Sequence, residues 1–207
     1  MQLPPFGGSF AKITYMDKAS RIMALKNEII EQKICSDLAA GATQLVMGDG
    51  NLDSQIVFIG EAPGKNEDLQ GKPFVGASGK FLDEMLTSVG LNRSDIYITN
   101  IVKYRPPNNR DPLPDEKRSF WPYLMRQLEI INPTVIVTLG RHAMDCFIPG
   151  AKISVDHGRP CKVQLHRDGA EYNWLVMPLY HPAAALYNGS MRQTLMDDFQ
   201  KVKDLIN

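Results

Sequence analysis

The chain has 207 residues, a length that fits one domain with a full hydrophobic core. Its 23 Lys and Arg residues balance its 23 Asp and Glu residues, which excludes a global positive field for nucleic acid but leaves a local basic patch open. No apolar run approaches the roughly 18–20 residues that cross a bilayer, and the N-terminus lacks a secretory signal, so we expect a cytoplasmic protein with no membrane partner.

The cysteines argue against structural cross-links. There are three of them, Cys35, Cys146 and Cys161, widely spaced and without a CxxC pair. This pattern predicts neither a disulfide framework nor a zinc site. We interpret each as a small, partly buried thiol in a reducing compartment.

The first part of the chain predicts an arm, a helix, a loop and a strand. Residues 1–17 carry Pro-Pro and Gly-Gly pairs with little periodicity and predict an extended arm, followed by a single domain over 18–207. Apolar residues at helical spacing predict a helix over 18–35, and 36–55 is loop-like. Residues 56–59, IVFI, predict the first buried strand.

A glycine-rich loop follows that strand. Residues 60–64 read GEAPG, and after a polar spacer PFVG at 73–76 leads into a helix predicted over 80–89. A strand, a glycine-rich loop and a helix N-terminus commonly form an anion or nucleotide site. By spacing alone, a plain βα turn without a ligand is an equally good interpretation.

The remaining elements alternate between strand and helix. In order, we predict a strand over 96–102, an irregular Pro- and Asn-rich loop over 105–112, a helix over 114–131, a strand over 134–139, a short helix over 141–147, a loop and hairpin over 151–173, a strand over 174–179 and a helix over 191–206. This alternation predicts an α/β fold with a mostly parallel central sheet. Ligands of such folds gather at the strand C-termini, where Glu61, Asn100 and His181 stand.

These strand ends carry a recognisable set of motifs. GEAPG with Glu67 and PFVG downstream, TNIVKYRPPNNRDP, and HPAAALYN followed by Arg192 resemble those of a family 4 uracil-DNA glycosylase. The resemblance extends from about Cys35 to Phe199. It implies a three-layer α/β/α fold with a four-stranded, mostly parallel sheet. It also implies hydrolysis of the bond between uracil and deoxyribose in DNA, the first step of base-excision repair.

The resemblance assigns a pocket for a uracil that has left the base stack. Phe74 would stack on the ring, and the Asn100 amide would donate to O4 and accept from N3–H, a pattern that cytosine reverses. His181 would donate to O2, where the charge of the leaving uracil collects. Glu67 matches a position near C5 of the base. Core packing for Phe74, a turn cap for Asn100 and a structural role for His181 are the alternatives.

Two positions of the loop differ from another glycosylase family. Gly64 stands where that family has a tyrosine that excludes thymine, and Ala62 stands where it has an aspartate that positions water. Glu61 and Asn109 are therefore the candidates for orienting water. The other histidines, His142 among them, have no such motif around them and are interpreted as surface or loop residues.

DNA contacts are predicted for the loops. Candidates for phosphates are Ser78 at a helix N-terminus and the basic and amide side chains of the proline-rich loop, namely Arg105, Asn108, Asn109 and Arg110. Tyr187, Asn188 and Arg192 follow the HPAAAL stretch and would support or enter the minor groove. Each of these side chains is equally open to interpretation as ordinary solvated surface.

The cysteines depart from the family pattern. Family 4 enzymes usually hold an iron–sulfur cluster on about four cysteines. Only Cys35 stands near an expected ligand position, and Tyr104 and Phe120 or a neighbour occupy two of the others. We therefore predict no cluster and no metal, with aromatic packing in that volume.

The prediction is a cluster-free uracil-DNA glycosylase, a monomer acting on single- or double-stranded DNA. One alternative is a non-catalytic uracil- or DNA-binding module. Another is a glycosylase with shifted preference, for hypoxanthine or mismatched thymine. Relatives that keep a covalent DNA adduct carry a basic, histidine-containing insertion after PFVG, which this sequence lacks.

Overall fold

The computed structural model describes residues 16–167 and 170–205. The predicted arm, 1–17, lies outside this part of the chain except for Met16 and Asp17. The helices are α1 Lys18–Glu31, α2 Ser36–Gly41, α3 Lys65–Gln70, α4 Ala77–Ser88, α5 Pro114–Ile131, α6 Arg141–Phe147, α7 Ile153–Asp156, α8 Ala183–Tyr187 and α9 Met191–Asp204. The strands are β1 Asp49–Gly50, β2 Ile56–Gly60, β3 Tyr97–Asn100, β4 Val135–Leu139, β5 Cys161–Arg167 and β6 Ala170–Leu179.

The strands form one sheet with the order β1-β3-β2-β4-β6-β5. The four central strands are parallel, whereas β1 and β5 join the two edges in antiparallel orientation. Within the described ranges the sheet therefore has six strands, and the predicted number of four is wrong. β1 escaped prediction because it is two residues long, whereas β5 lies within 151–173, where a loop and hairpin were predicted without strand limits.

Each face of the sheet buries its own core. Alternate side chains of β2 point to opposite faces. Val57 and Ile59 pack with α1 and α5, and Ile56 and Phe58 pack with α4 and α9. The strand is buried along its whole length, which explains its continuous apolar run. The molecule is thus a three-layer α/β/α structure, as predicted.

Most predicted helices occur close to their expected limits. The bounds of α5 and α6 match the predictions, while α1 ends at Glu31, four residues before the predicted end at 35. The stretches 36–55 and 65–72 contain the short helices α2 and α3, which are too short to show a helical period. The proline-rich loop contains one turn of 3-10 helix, Pro107–Asn109.

Candidate active site

A cavity lies at the carboxyl ends of the parallel strands. Its volume is about 180 Å³, and its lining is Ala62, Gly64, Glu67, Phe74, Ser78, Asn100, Asn109 and His181. All of the side chains that were predicted to bind the base therefore meet in one place. Parallel strands explain this meeting, because their carboxyl ends all lie at the same edge of the sheet.

Gly60 makes room for two of these side chains. It pairs in register with Asn100 on the neighbouring strand. A Cβ atom at Gly60 would lie 2.4 Å from Asn100 Oδ1 and 2.7 Å from the Phe74 ring. Any larger residue would displace one of them, so glycine at the end of β2 lets the amide and the ring approach each other.

Phe74 is held in a backbone conformation that is uncommon for a non-glycine residue. Its φ is +52°, in the left-handed region. The guanidinium of Arg93 donates to the Phe74 carbonyl at 2.6 Å. The same carbonyl lies 1.8 Å from the place where a Cβ of Gly79 would be, so helix α4 begins directly against it. These contacts stabilise the turn that presents the Phe74 ring to the cavity.

Glu67 closes the side of the cavity next to the GEAPG loop. Its Oε1 atom accepts hydrogen bonds from the backbone N–H groups of Val75 at 2.9 Å and Gly76 at 2.8 Å. Its Oε2 atom lies 2.7 Å from the place where a Cβ of Gly64 would be. The carboxylate thus occupies the space beside Gly64 that a larger residue at that position would need.

Asn100 presents its amide to the cavity from the end of β3. The residue is 2 % exposed. No residue in the described part of the chain hydrogen-bonds its side-chain amide, whereas its backbone carbonyl accepts from Lys103 at 2.8 Å. A buried amide without a protein partner has unused donor and acceptor capacity, which is what a ligand with both groups requires.

The hydrogen bonds of His181 define which ring nitrogen can donate. The backbone N–H of Ala183 donates to Nδ1 at 3.1 Å, so Nδ1 is the acceptor and the neutral ring carries its proton on Nε2. Burial lowers the pKa of His181 to about 4, although the negative charge of Glu67 opposes this shift. The ring stacks on Phe74 with 5.5 Å between centroids. At neutral pH, His181 is therefore an uncharged donor.

Glu61 lies beside the cavity in a cluster of ionisable groups. Its Oε1 atom is 3.7 Å from His142 Nε2, which is 3.0 Å from Asp111 Oδ2. Burial raises the pKa of Glu61, and repulsion from Asp111 adds to the rise. His142 is half-buried on helix α6 next to a candidate site residue, which its interpretation as a surface or loop residue did not foresee.

The ligand atoms of Glu61, Asp111 and His142 lie within 4.8 Å of one another. A divalent cation accepts such a spacing. The Arg141 guanidinium, however, already donates to Asp111 at 2.9 Å and supplies positive charge at this place. The cluster is explained as an ion-pair network.

The predicted DNA-binding residues have different surroundings. Ser78 and Asn109 line the cavity, and Arg105 Nε donates to Asn109 Oδ1 at 2.7 Å. Tyr187 is 92 % exposed. It is the side chain of this group with the greatest freedom to enter a groove.

The other two arginines of the group already have carboxylate partners. Arg110 forms a two-pronged ion pair with Glu116, at 2.6 and 2.9 Å. Arg192 pairs with Glu84, and its guanidinium lies 4.6 Å from the centre of the Phe81 ring. A phosphate would have to compete with these carboxylates.

The surroundings of Cys35 do not fit an iron–sulfur cluster. The Cys35 thiol lies 4.0 Å from the Glu116 carbonyl, and burial raises its pKa. Tyr104 and Phe120, both buried, pack edge to face nearby with 6.0 Å between ring centroids. The whole sequence has three cysteines, fewer than the usual four ligands.

Sequence reasoning missed several residues that shape the cavity. Gly60 and Arg93 act through close approach and a long-range hydrogen bond, which no local pattern reveals. Lys103 gave a usable signal, since it is a single charged residue within the apolar run IVKY at 101–104. A lysine in such a run is buried with partners or disrupts the strand end.

None of the described helices combines the length and the apolar character needed to span a membrane.

Comparison with known proteins identifies residues 47–204 as a match to the uracil DNA glycosylase superfamily. The chain is similar to the type-4 uracil-DNA glycosylase of Sulfurisphaera tokodaii, with 45 % identity over 92 % of this chain and 86 % of the relative. The type-4 uracil-DNA glycosylase of Archaeoglobus fulgidus is 48 % identical over 86 % of this chain and 89 % of the relative. That of Thermotoga maritima is 41 % identical over 89 % of this chain and 95 % of the relative.

Proposed function

The chain belongs to the uracil-DNA glycosylase superfamily, in its type-4 branch, and we infer that it hydrolyses the N-glycosidic bond of uracil in DNA. The product is an abasic site and free uracil, the first step of base-excision repair. The observation that carries this inference is the meeting of Phe74, Asn100 and an Nε2-protonated His181 around one cavity.

The substrate base reaches the cavity by leaving the duplex stack, because its glycosidic bond is inaccessible within a helix. Phe74 then provides a flat apolar surface for the ring. The free Asn100 amide donates to O4 and accepts from N3–H of uracil. Cytosine offers the opposite groups at these positions, and each mismatched buried polar group costs about 1–3 kcal/mol.

Bond cleavage separates charge. The C1′–N1 bond breaks with both electrons passing to the uracil, and positive charge develops on the sugar. His181 Nε2–H donates to O2, where the negative charge collects, and the low pKa of His181 keeps this donor neutral. Water adds to C1′ with Glu61 or Asn109 proposed to orient it, and the proton that water loses goes, in net terms, to the uracil anion, which gives free uracil. The raised pKa of Glu61 brings this carboxyl closer to the range of a useful base.

Glu67 is proposed to restrict the C5 side of the base. Its carboxylate is fixed by two backbone N–H groups and fills the space beside Gly64. A methyl group at C5 would meet this fixed carboxylate, which would disfavour thymine without the bulky side chain found in another family.

The enzyme is also proposed to work without an iron–sulfur cluster, as a monomer in the cytoplasm on single- or double-stranded DNA. The support for the first point is chemical, since three cysteines cannot supply four thiolates. The described cysteines are all free thiols, which is compatible with a reducing compartment. The proposed DNA contacts are Arg105, Asn109 and Arg110 of the proline-rich loop and three helical residues, Ser78 in α4, Tyr187 in α8 and Arg192 in α9.

A cleavage assay tests the function directly. Purified protein is incubated with labelled oligonucleotides that contain uracil or hypoxanthine, in single- and double-stranded form, or with a duplex that contains a G·T mismatch, and then treated with alkali. We expect strand scission at uracil and little at the other two bases. Preferred scission at hypoxanthine or thymine would move the assignment to those substrates. Tight binding of uracil DNA without scission would establish a non-catalytic module.

Iron analysis and an absorbance scan near 400 nm on the same sample test the cofactor proposal. We expect active protein with less than one-tenth of an equivalent of iron, a rough threshold for trace metal. Stoichiometric iron in a brown, active sample would overturn the proposal.

A further inference from the structure

Lys103 is fully buried directly behind Asn100. None of its surface is exposed. Its Nζ atom lies 2.8 Å from the Asn100 backbone oxygen, 2.6 Å from Thr99 Oγ1 and 2.7 Å from Gln127 Oε1. Within the described residues, no ion pair compensates its charge, so its partners are neutral oxygens alone. Such a residue requires an explanation, because unpaired buried lysines are rare.

The hydrogen bonds around Nζ require all three of its oxygen partners to accept. Gln127 Nε2 donates to the Met47 carbonyl and to the Tyr97 hydroxyl, both at 2.9 Å, which turns Gln127 Oε1 towards Nζ. The Thr99 hydroxyl donates to the Met47 carbonyl at 2.8 Å, which leaves its oxygen to accept. Three acceptors require three N–H donors, and only the ammonium form of lysine supplies them.

Burial works against this charge. It lowers the pKa of Lys103 well below its ordinary range. Hydrogen bonds to the charged form act in the opposite direction as a general rule. An apolar side chain would fill the same volume without a desolvation cost. The ammonium contacts the backbone of Asn100, a residue that lines the cavity.

We propose that Lys103 is a positioning residue for the glycosylase reaction. Its ammonium fixes the carbonyl of Asn100 and thereby the direction of the Asn100 side chain, since both groups share one Cα atom. Its positive charge lies behind the pocket and stabilises the uracil anion as the base leaves. No bond to Lys103 forms or breaks. This inference depends on the proposed function.

The leaving-group dependence of cleavage tests this role. Lys103→Met keeps an unbranched side chain that is one atom shorter and removes its charge. Single-turnover cleavage is compared on matched oligonucleotides that contain uracil or 5-fluorouracil. Fluorine makes the base a more stable anion, so this substrate depends less on charge stabilisation by the protein.

We expect the single-turnover cleavage rate of the variant on uracil to fall by about tenfold to a hundredfold, as for the loss of a charge that acts across a few ångströms of protein. The loss on 5-fluorouracil should be at least threefold smaller. A purely structural defect would slow both substrates equally. An equal loss on both, or a loss below threefold on uracil, would overturn the proposal. If the wild-type protein cleaves neither substrate, the proposed function fails, which is a different outcome.

Tyr97→Phe is the matched control. It removes a hydroxyl from the same buried network, while the hydrogen bond from Gln127 Nε2 to the Met47 carbonyl remains to hold Gln127 Oε1 towards Lys103. We expect reduced thermal stability and cleavage within threefold of wild type on both substrates. A control variant with the same leaving-group dependence as Lys103→Met would also overturn the proposal.

Thr99→Val supplies the comparison if Lys103→Met does not yield folded protein. It is nearly isosteric and deletes one of the three acceptors of the ammonium. The expected loss is about threefold on uracil and less on 5-fluorouracil, in keeping with one weakened hydrogen bond of several. Equal losses on both substrates would refute the assignment.

Discussion

His181 provides the sharpest test of the mechanism. Replacement of His181 by Ala removes one N–H donor from the oxygen that gains charge in the transition state. Loss of such a donor costs about 2.7–4 kcal/mol, or roughly a hundredfold to a thousandfold in rate. Single-turnover cleavage of a uracil oligonucleotide measures this loss without interference from product release. A loss below threefold would remove His181 from the mechanism.

The matched variant is His181→Gln. The glutamine amide carries an N–H at about the reach of Nε2, although it cannot reproduce the hydrogen bond between Ala183 N and Nδ1. We expect it to retain at least ten times the activity of His181→Ala, on the order of one imperfect hydrogen bond. Equal activity of the two variants would show that the shape of the ring, not its donor, is what the reaction requires.

The pKa of His181 adds a second measurement. A value near 4 means that the ring is neutral from about pH 5.5 upwards, so its titration should leave the rate unchanged between pH 5.5 and 8. A wild-type rate that rises as the pH falls through 6.5, with no such rise in His181→Gln, would identify a charged imidazolium as the donor and refute this reasoning.

The same shift has a consequence for stability. The folded pKa of about 4 lies below the ordinary value of 6.5, so the unfolded chain binds the proton more readily. The contribution of His181 is present above pH 6.5 and is lost as the pH falls towards 4. Between pH 7 and 4.5 this loss amounts to roughly 2.5 kcal/mol. Urea unfolding of wild type and His181→Gln at both pH values should show this difference.

Three further substitutions test the pocket and the core. Asn100→Asp should relax discrimination against cytosine, and an unchanged ratio of uracil to cytosine cleavage would mean that another group reads the base. Gly60→Ala should lower the rate of uracil cleavage at least tenfold, because the added Cβ displaces Asn100 or Phe74. Gly41→Ala is the control, since nothing lies within 4 Å of its Cβ, and it should leave the rate unchanged. Similar rates for the two variants would contradict the close-approach argument. Phe120→Ala should lower the free energy of unfolding, measured with urea, by about 3–5 kcal/mol, and a decrease of less than about 1 kcal/mol would contradict its role in core packing.

Local sequence determined the central layer of the molecule. The apolar runs that became β2 and β4 and the periodic stripe of α5 are encoded within single segments, so their type and limits follow from periodicity. The motifs at the strand ends also determined the meeting of Asn100 and His181, since parallel strands bring their carboxyl ends to one edge, whereas Phe74 reaches the same cavity from the segment between α3 and α4.

Tertiary structure decided the rest. The edge strand β1 exists through its pairing with β3, which its two residues do not predict, and pairing with β6 sets the limits of β5 within the predicted hairpin. The need for glycine at position 60, the Nε2 tautomer of His181 and the ammonium of Lys103 arise from atoms that lie close in space, supplied by different segments or by the local backbone geometry. The sequence gives the type of each residue, whereas the direction of a hydrogen bond and the energetic cost of a close approach depend on the positions of atoms in the folded chain.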